Sequence, residues 1–496
     1  MGIIQRQATW NALNSYAGVV LGLVNKLIFF NFWLTKAQFG LVELLITFMV
    51  LGAELSNLGV TKIVIRFFPF FQDHKERSGK FIFFVAVYSV FGFLLVTLIL
   101  LLGSNFILGQ YAEYSPLFAA EFNYVIFLIL AYKLYRVFSS LSQSLLNSVL
   151  PSFVWNILMR LVHLVLILLL HYEFLDFRGF LNGLAIGYFI PGLVLFIYVA
   201  FIKSLNWYTS WKWLKTRTIR MMLNYGWYSS LGEMTAVLVN QVDMLMIAWL
   251  IGEEMVATYA VAFYIAKLVQ MPSNSIQAIA APLVANDMKK RKLDEVYKVY
   301  QKSAITNFLI GGIVFIGLVI NIDLLYTMFP KHIAGRDAMI YLALGILFNS
   351  VTGIHKVIIN NSRYFKFNLY ANFLLFILIC VTNYLLIPTM GVVGASIATA
   401  TSLLAYNIAS CFYVYLKFRM HPFSREMLYT FILGVVVLAA GYYFPQTGIT
   451  LVDMMTRSVF AAGVYGGITI WLDLSPDITR MVLNPLKKLY IRYFKS

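Results

Sequence analysis

The chain has 496 residues, of which 61% are hydrophobic and only 12% are charged, and its formal net charge is +17. This composition excludes an ordinary soluble domain, in which about 25% of residues are charged. The excess of lysine and arginine would suit nucleic-acid binding, but their distribution along the chain explains the excess without nucleic acid.

Long apolar segments recur along the whole chain, and many reach the ~20 residues that a helix needs to cross a bilayer. Length and periodicity predict about fourteen transmembrane helices, and hence an all-α integral membrane protein. The predicted spans cover residues 11–34, 38–67, 80–103, 121–147, 151–171, 180–202, 223–250, 255–286, 300–322, 338–360, 368–388, 391–416, 426–444 and 456–473.

The first span is full-length and lacks a small-residue cleavage site, so we expect no cleavable signal peptide. Cys380 and Cys411 both lie in predicted helices, where packing is their simplest role. The sequence contains no H-E-x-x-H motif and no glycine-rich phosphate loop. We therefore expect neither a metal nor a cofactor.

Lysine and arginine outside the spans fall mostly on one side of the membrane. With the N-terminus inside, about 26 lie in inner loops and tails against about 5 in outer loops, which is the positive-inside bias. The outer ones are Lys36, Arg178, Lys331, Arg336 and Arg457. We expect both termini in the cytoplasm.

The first six spans and the next six look like repeats, about 215 residues apart. Phe32-Trp33-Leu34 corresponds to Ala248-Trp249-Leu250, and the basic loop 72–77 corresponds to 287–292. Because six is even, both halves enter the membrane in the same orientation. Parallel repeats of this kind predict a pseudo-twofold axis along the membrane normal, with substrate handled between the halves.

The predicted organisation therefore has five parts. They are a lobe at 1–206, an amphipathic cytoplasmic linker at 207–222 with interleaved tryptophan and basic residues, a lobe at 223–417, two extra helices at 418–475, and a basic cytoplasmic tail at 476–496. No outer loop is long enough for a soluble domain, so function must lie within the membrane.

Ionisable residues inside the spans are the strongest functional signal, because a charge at mid-bilayer costs at least ~2.5–3.5 kcal/mol on insertion scales. Lys26 follows Asn25 about fifteen residues into the first span, near the membrane midplane at ~1.5 Å per residue. Pro272 should kink the eighth span beside its polar face. The polar residues of the other spans include Thr47, Glu54, Asn57, Lys133, Arg136, Arg160, His163, Ser229, Glu233, Asn240, Asp243, Lys267, Gln270, Asn274 and Lys356.

Basic residues within the spans outnumber acidic ones. The basic residues are Lys26, Lys62, Lys133, Arg136, Arg160, Lys267 and Lys356, and the acidic ones are Glu43, Glu54, Glu233 and Asp243. A surplus of cations in a buried vestibule suits a phosphate or pyrophosphate group, and arginine offers it a bidentate fork. The alternative for each base is a structural pair with one of the acids, or snorkelling for Lys62 and Lys356.

Lys26 and Lys267 are the leading candidates for ligand contact, followed by Arg136 and Arg160. Asn25, Lys133, Gln270 and Asn274 complete the predicted substrate-binding set. His163 is better explained as a packed, hydrogen-bonded histidine than as a proton relay.

The segment 372–409 predicts a tight transmembrane hairpin, with a first helix closed at Pro388 and a second that begins at Gly391. Small residues recur along one face of the second helix, at Gly391, Ala395, Ala398, Ser402, Ala405 and Ala409. Because lipid supplies no hydrophobic force between helices, close packing along such a face holds the hairpin to its neighbours.

The residue string of this hairpin is more specific than its spacing. Asn383-Tyr-Leu-Leu-Ile-Pro388, two residues, and Gly391-x-x-Gly394-Ala-Ser-Ile-Ala-Thr399 resemble the pattern LNxxLIPxxGxxGAAxAT. That pattern is typical of the polysaccharide-exporter branch of the multidrug/oligosaccharidyl-lipid/polysaccharide (MOP) flippase superfamily. Ser396 stands where the family more often has alanine.

The resemblance implies a flippase, similar to the Wzx-type O-antigen flippases, rather than an enzyme. Such proteins move an undecaprenyl-pyrophosphate-linked O-antigen, capsule or exopolysaccharide unit to the outer leaflet by alternating access, beside other polysaccharide-assembly proteins. The pyrophosphate would lie on Lys26 and Lys267. Coupling to H⁺ or Na⁺ would use the available carboxylates Glu54, Glu233 and Asp243.

Three alternatives stay open. A drug or cation antiporter of the same superfamily would need an acidic cavity, whereas this chain has basic residues in its spans. An integral-membrane glycan polymerase or ligase would need a long outer loop with catalytic arginine or histidine, which the sequence lacks. A passive scramblase would move lipid without any ion gradient.

Overall fold

A computed structural model describes residues 3–202, 216–445 and 447–480. Every regular element in these ranges is a helix, which confirms the predicted all-α class. The chain forms two compact units, Met1–Ala257 and Thr258–Ser496. Most of the predicted linker, 207–215, and the predicted tail beyond residue 480 lie outside the described residues.

The first unit contains ten helices in the part of the chain that the structure describes. They are α1 (Ile3–Leu23, prolonged by a π-helical turn at Val24–Phe30 and by Asn31–Trp33), α2 (Lys36–Asn57), α3 (Val60–Phe67), α4 (Lys75–Leu102), α5 (Ser104–Tyr111), α6 (Pro116–Ala120), α7 (Tyr124–Ser144), α8 (Val149–His171), α9 (Phe177–Phe201) and α10 (Thr216–Leu250).

The second unit begins inside the next helix. Its elements are α11 (Glu253–Lys289), α12 (Leu293–Ile320), α13 (Ile322–Thr327), α14 (Arg336–Val351), α15 (His355–Asn360), α16 (Lys366–Phe418), α17 (Arg425–Tyr442) and α18 (Thr450–Trp471).

Eleven helices among the described residues are long and apolar enough to cross a membrane. One of them, α16, has 53 residues and doubles back at Gly391, so it supplies two of the predicted spans. The helices α14 and α18, where two further spans are predicted, are not among the eleven. The chain is a multi-pass membrane protein, and the count of about fourteen spans stays a prediction.

The turn between α1 and α2 is fixed by a capping box. The Thr35 hydroxyl accepts a hydrogen bond from the Gln38 backbone N–H (3.2 Å), and the Gln38 side chain accepts one from the Thr35 N–H (3.0 Å). This arrangement satisfies two of the backbone donors that a helix start leaves without partners. It ends α1 at Trp33 and reverses the chain within two residues.

The predicted second span is broken where the sequence suggests continuity. Leu58 and Gly59 both have positive φ (45° and 80°), so α2 ends and α3 starts in a new direction. Neighbouring side chains take the carbonyls that the break frees: Tyr88 Oη donates to Leu58 O (3.2 Å), and Lys133 Nζ donates to Ser56 O (2.5 Å). A left-handed leucine is uncommon and costs conformational energy, so these contacts hold the break in place.

The hairpin in α16 is present, but its turn lies at Gly391 rather than at Pro388. Helical backbone continues past Pro388, and the reversal comes from Gly391, whose φ of 60° and ψ of −137° suit glycine alone. Thr382 Oγ1 and Ser402 Oγ lie 3.3 Å apart across the hairpin.

The small-residue face of the second hairpin helix is only partly buried. Ala395, Ala398 and Ser402 are buried, whereas Ala405 and Ala409 are exposed, so the predicted face holds for its first half. Gly345 of α14 packs closely against this helix, since a Cβ there would lie 2.7 Å from the Ala400 Cα.

Arg457 was expected in an outer loop, but it is buried inside α18. Its guanidinium donates to Ile320 O (3.0 Å) and Phe444 O (3.2 Å). Both carbonyls belong to helix ends, where backbone acceptors need outside partners. The arginine therefore serves as a cap for two neighbouring helices.

The eighth span departs from regular α-helix beside Pro272, where the sequence predicts a kink. A 3₁₀ turn at Lys267–Gln270 separates the first part of α11 from the helix that begins at Met271, and Pro272 lies in the first turn of the latter. Proline fits this position because it has no N–H to offer the preceding turn.

Candidate functional site

A cationic cluster lies between α1, α2 and α8 in the first unit. Lys26 is 8% exposed, and its Nζ lies 2.8 Å from Glu43 Oε1 and 3.0 Å from Glu43 Oε2. Lys26 and Glu43 lie at matching distances from the turn, each roughly 10 Å along its helix from the nearer end. The pair is therefore closer to one end of its spans than the midplane expected from sequence.

Lys26 and Asn25 lie in the π-helical turn of α1. Such turns insert one extra residue into a helix and are frequent at functional sites. Asn25 Nδ2 donates to the main-chain oxygen of Arg160 (2.7 Å), which ties this turn to the middle of α8.

Arg160 supplies the second cation of the cluster. Its side chain lies against Gly22, where a Cβ would be 3.2 Å from Arg160 Nε. Nε is buried without a hydrogen-bond partner, and within the described ranges the guanidinium forms no ion pair with an acid. It is close enough to Lys26 to act on it electrostatically. The cluster of Lys26, Glu43 and Arg160 thus carries one more positive than negative charge.

His163 is packed beside the cationic cluster. It is 1% exposed, and its ring lies 6.1 Å from the Phe30 ring and 5.5 Å from the Tyr188 ring. Its Nε2 has no hydrogen-bond partner among the described residues, so the expected packing is confirmed without the expected bond at that nitrogen.

A second group, the charge network, joins four residues of α2, α3, α7 and α10. Arg136 Nη2 lies 3.0 Å from Glu54 Oε2 and 3.6 Å from Glu233 Oε2. Lys62 Nζ lies 2.5 Å from Glu233 Oε1. The two cations of the network balance its two anions, and the acid that pairs with Lys62 is Glu233. Glu54 is buried, whereas Arg136 and Glu233 keep about a third of their side chains exposed.

Two residues predicted to bind substrate already have protein partners. Lys133 is 3% exposed and donates to the carbonyl that the break after α2 frees, and Arg136 belongs to the charge network. Arg136 follows the alternative that the sequence left open, a structural pair with an acid, whereas Lys133 contacts a backbone carbonyl instead of an acid.

The remaining predicted residues belong to α10 and α11. In α11, the Lys267 ammonium lies over the Phe263 ring at 4.3 Å. Gln270 is half-buried and Asn274 is exposed, so this polar face is open at its far end. Asp243 is 4% exposed in α10.

No group of three or more His, Cys, Asp or Glu side chains suited to a metal ion occurs in the described ranges. Cys411 is buried with its Sγ 3.5 Å from Tyr300 Oη, and Cys380 is half-buried. These surroundings agree with a packing role for both cysteines.

From the sequence, Glu43 is one of four acids within the spans, and nothing there pairs it with Lys26. The capping box at Thr35 could have predicted the pair, because residues equally far before and after a tight turn between two helices lie at the same depth. The sequence does not single out Trp155 as a candidate. It lies in a second π-helical turn, at Val154–Leu158 of α8, and contacts Tyr132 and Tyr135.

Comparison with known proteins gives two matches to family models. Residues 4–288 match the family described as polysaccharide biosynthesis protein, and residues 229–385 match the MatE family. An uncharacterized membrane protein of Methanocaldococcus jannaschii is 21% identical in an alignment of length 495 that covers 93% of each chain.

Two solved structures are similar along most of their length. The lipid II flippase MurJ, in an inward closed conformation, has a TM-score of 0.72 and 12% identity, with 94% of this chain and 99% of that chain covered. An inward-facing multidrug resistance MATE family transporter of the MOP superfamily has a TM-score of 0.63 and 14% identity, with 83% and 94% covered. At these identities the likeness shows the fold alone.

Proposed function

The chain belongs to the polysaccharide biosynthesis protein family of the MOP flippase superfamily, and from this premise we propose that it flips a polyprenyl-pyrophosphate-linked oligosaccharide from the inner to the outer leaflet. The family supports a flippase or transporter working on a lipid-linked substrate in the membrane. The finer substrate, a repeat unit of O-antigen, capsule or exopolysaccharide, is part of the proposal.

The cationic cluster is the observation that carries this proposal. Among the described residues, Arg160 has a buried Nε without a hydrogen-bond partner and no acidic partner, and it lies beside the Lys26–Glu43 pair. A buried donor without a partner is costly, more so on a charged group. A pyrophosphate would supply the missing charge and accept the fork of the guanidinium in a bidentate contact. We therefore place the pyrophosphate at Arg160 and Lys26, with Asn25 holding α1 and α8 together beneath it.

The second unit offers a polar face of its own at Lys267, Gln270 and Asn274, which we propose as a further substrate contact. Lys133 and Arg136 have protein partners, so we assign them to holding the first unit in shape rather than to the ligand.

We propose that the charge network couples transport to an H⁺ or Na⁺ gradient. Glu54 is buried, and its Oε1 has no hydrogen-bond partner among the described residues, so one carboxylate oxygen is available for a proton or cation. Glu233 pairs with both Arg136 and Lys62. A change in the charge of Glu54 would therefore affect Glu233 through Arg136, which pairs with both acids. Asp243 is the third candidate carboxylate.

The positive-inside bias supports placing both termini in the cytoplasm of a bacterial inner membrane. In this orientation the Lys26–Glu43 end of α1 and α2 lies toward the outer leaflet, because α1 runs from the inside out. An inward-moving proton would then have the opposite direction to the lipid-linked glycan.

Reconstitution tests the function directly. Vesicles with the purified protein and a labelled lipid-linked oligosaccharide should flip the label, and the rate should fall when an ionophore collapses the gradient. Glu54→Gln should make the remaining rate insensitive to the ionophore, because it removes the titrating carboxyl and keeps the side chain's size. Flipping that is ionophore-insensitive in the unaltered protein would instead establish a passive scramblase.

A MATE-like drug or cation antiporter is the second candidate, and the MatE match at residues 229–385 favours it. It predicts transport of organic cations with no effect of Arg160 substitution. The same vesicles loaded with a fluorescent cation separate the two functions. An integral-membrane glycan polymerase or ligase, as a candidate of another class, predicts glycosyl transfer by the purified protein, which a labelled-sugar assay would detect.

A further inference from the structure

We infer that Trp155 and Tyr132 form a platform on which a pyranose ring of the glycan stacks, next to the pyrophosphate position. This inference rests on the proposed function and adds a glycan subsite to it. The aromatic platform is defined as Trp155, Tyr132 and Tyr135, from α7 and α8.

The rings of the platform are in mutual contact. The Trp155 ring centroid lies 4.6 Å from that of Tyr135 at an interplanar angle of 20°, and 4.8 Å from that of Tyr132. Tyr135 is 8% exposed, whereas Trp155 and Tyr132 are only half-buried. Tyr135 therefore backs the platform, and the other two rings keep accessible surface.

Polar groups at the platform also suit a sugar. The indole N–H of Trp155 makes no hydrogen bond within the described ranges, and it keeps some accessible surface. The Tyr132 hydroxyl lies within electrostatic range of the Arg136 guanidinium. A buried aromatic N–H usually has a partner, so an open one beside a half-exposed ring face favours a polar ligand.

The platform lies between the cationic cluster and the charge network. Trp155 precedes Arg160 by five residues in α8, and Tyr188 lies 6.2 Å from the Trp155 ring while within electrostatic range of Arg160 and Glu43. On the other side, Tyr132 precedes Arg136 by one helical turn. One ligand with a charged pyrophosphate and an adjoining sugar would reach both the cluster and the platform.

A pyranose matches this arrangement for a chemical reason. Its ring has a face of C–H groups, which carries partial positive charge and packs against the negative face of an aromatic ring. Its hydroxyl groups at the edge accept from an indole N–H. A bare hydrocarbon would not use the N–H, and a phosphate would gain nothing from the ring faces.

The position of Trp155 in a π-helical turn supports a functional role. The turn at Val154–Leu158 occurs on α8, and Lys26 lies in the π-helical turn of α1. Two of the three π-helical turns among the described residues therefore occur where the proposed ligand would lie, and the third, at Tyr198–Ile202, is at the end of α9. Such turns are frequent at functional sites.

The test measures the affinity of the full chain, in a detergent without a sugar headgroup, for two ligands. One is geranyl pyrophosphate, and the other is geranyl pyrophosphate carrying a disaccharide. We expect the disaccharide to tighten binding to the wild type about tenfold, the range of a good aromatic contact. Trp155→Ala should remove that gain and leave the affinity for geranyl pyrophosphate unchanged, whereas Trp155→Phe should keep most of the gain.

Trp33→Ala is the matched control, because Trp33 also stacks on an aromatic partner, His171, at 4.1 Å, but at the end of α1. It should leave both affinities unchanged. If Trp155→Ala does not fold, Trp155→Leu takes its place, because leucine fills more of the space than alanine and has no ring. An unchanged disaccharide gain in the ringless variant would overturn the platform and leave the proposed function standing. Failure of the wild type to bind geranyl pyrophosphate would overturn both.

Discussion

The cationic cluster and the charge network are built from the same residue types, yet they differ in balance. The network has two acids for two bases, and each base reaches a carboxylate. The cluster has one acid for two bases, and Arg160 pairs with no acid among the described residues. Each group has one deeply buried acid, Glu43 at 1% and Glu54 at 5% exposure, and one partly exposed arginine, Arg160 or Arg136.

This difference shows how sites with similar composition are suited to different roles. A balanced, partly wet network stabilises its own geometry and changes only when one member gains or loses charge. An unbalanced cluster with a buried, unsatisfied donor gains free energy when an anion binds, because the anion supplies the missing charge and accepts that hydrogen bond. The predictions that follow break or sharpen this contrast, in order of decreasing effect.

Lys26→Met should have the largest effect on stability. It leaves Glu43 charged and buried without its partner, a change that costs about 3–5 kcal/mol in the free energy of unfolding. Chemical unfolding in detergent measures the loss. The double variant Lys26→Met/Glu43→Leu should recover most of it, since it removes both charges, but should still flip lipid poorly. Recovery of flipping in the double variant would show that Lys26 only neutralises Glu43.

Arg160→Met should separate binding from stability. No acid loses a partner, so the free energy of unfolding should change by less than about 1 kcal/mol. The flipping rate should fall about ten- to hundredfold, the worth of hydrogen bonds to a charged group. Arg160→Lys should retain part of the rate, because it keeps the charge and loses the fork. A large loss of stability, with normal flipping per folded molecule, would contradict the role of Arg160 in binding and indicate a structural role.

Arg136→Met should destabilise less than Lys26→Met. It removes the partner of buried Glu54, but water reaches about a third of Arg136 and Glu233, and Lys62 still holds Glu233. We expect a loss of about 1–2 kcal/mol, reduced from the buried limit by solvent screening. The same unfolding assay measures it. A loss equal to that of Lys26→Met would mean that exposure does not distinguish the two groups.

Lys298→Ala gives the baseline for the comparison. Lys298 and Glu295 form an exposed pair on α12, 2.8 Å apart. Because water and salt screen such pairs, its removal should leave the unfolding curve within experimental scatter. A clear shift would mean that the assay responds to surface charge, and the larger losses would then need correction.

Much of the fold follows from sequence because the signals involved are local. The positions of Lys26 and Arg160 in apolar helices need only hydropathy, and Pro272 interrupts its helix because it lacks an N–H. The hairpin turn shows the limit of a local rule. Both Pro388 and Gly391 are breakers, but only glycine can adopt the mirror-image backbone that reverses the chain, so the reversal occurs there.

The partners of the charged residues could not be derived in the same way. Glu43 and Arg160 approach Lys26 from different helices, and sequence spacing does not encode which helix faces which. The same reason explains Arg457, whose acceptors belong to the ends of two other helices. The break at Leu58 also escaped detection, because leucine is an ordinary helix former and the left-handed turn depends on tertiary contacts.

The most direct test of the account compares the affinity of three proteins for geranyl pyrophosphate: the wild type, Arg160→Met and Arg136→Met. All three proteins share one fold, and each variant lacks one guanidinium. We predict an affinity at least about tenfold weaker for Arg160→Met and within about twofold of the wild type for Arg136→Met. Equal weakening in both variants, or in neither, would contradict the claim that the unbalanced cluster binds the pyrophosphate.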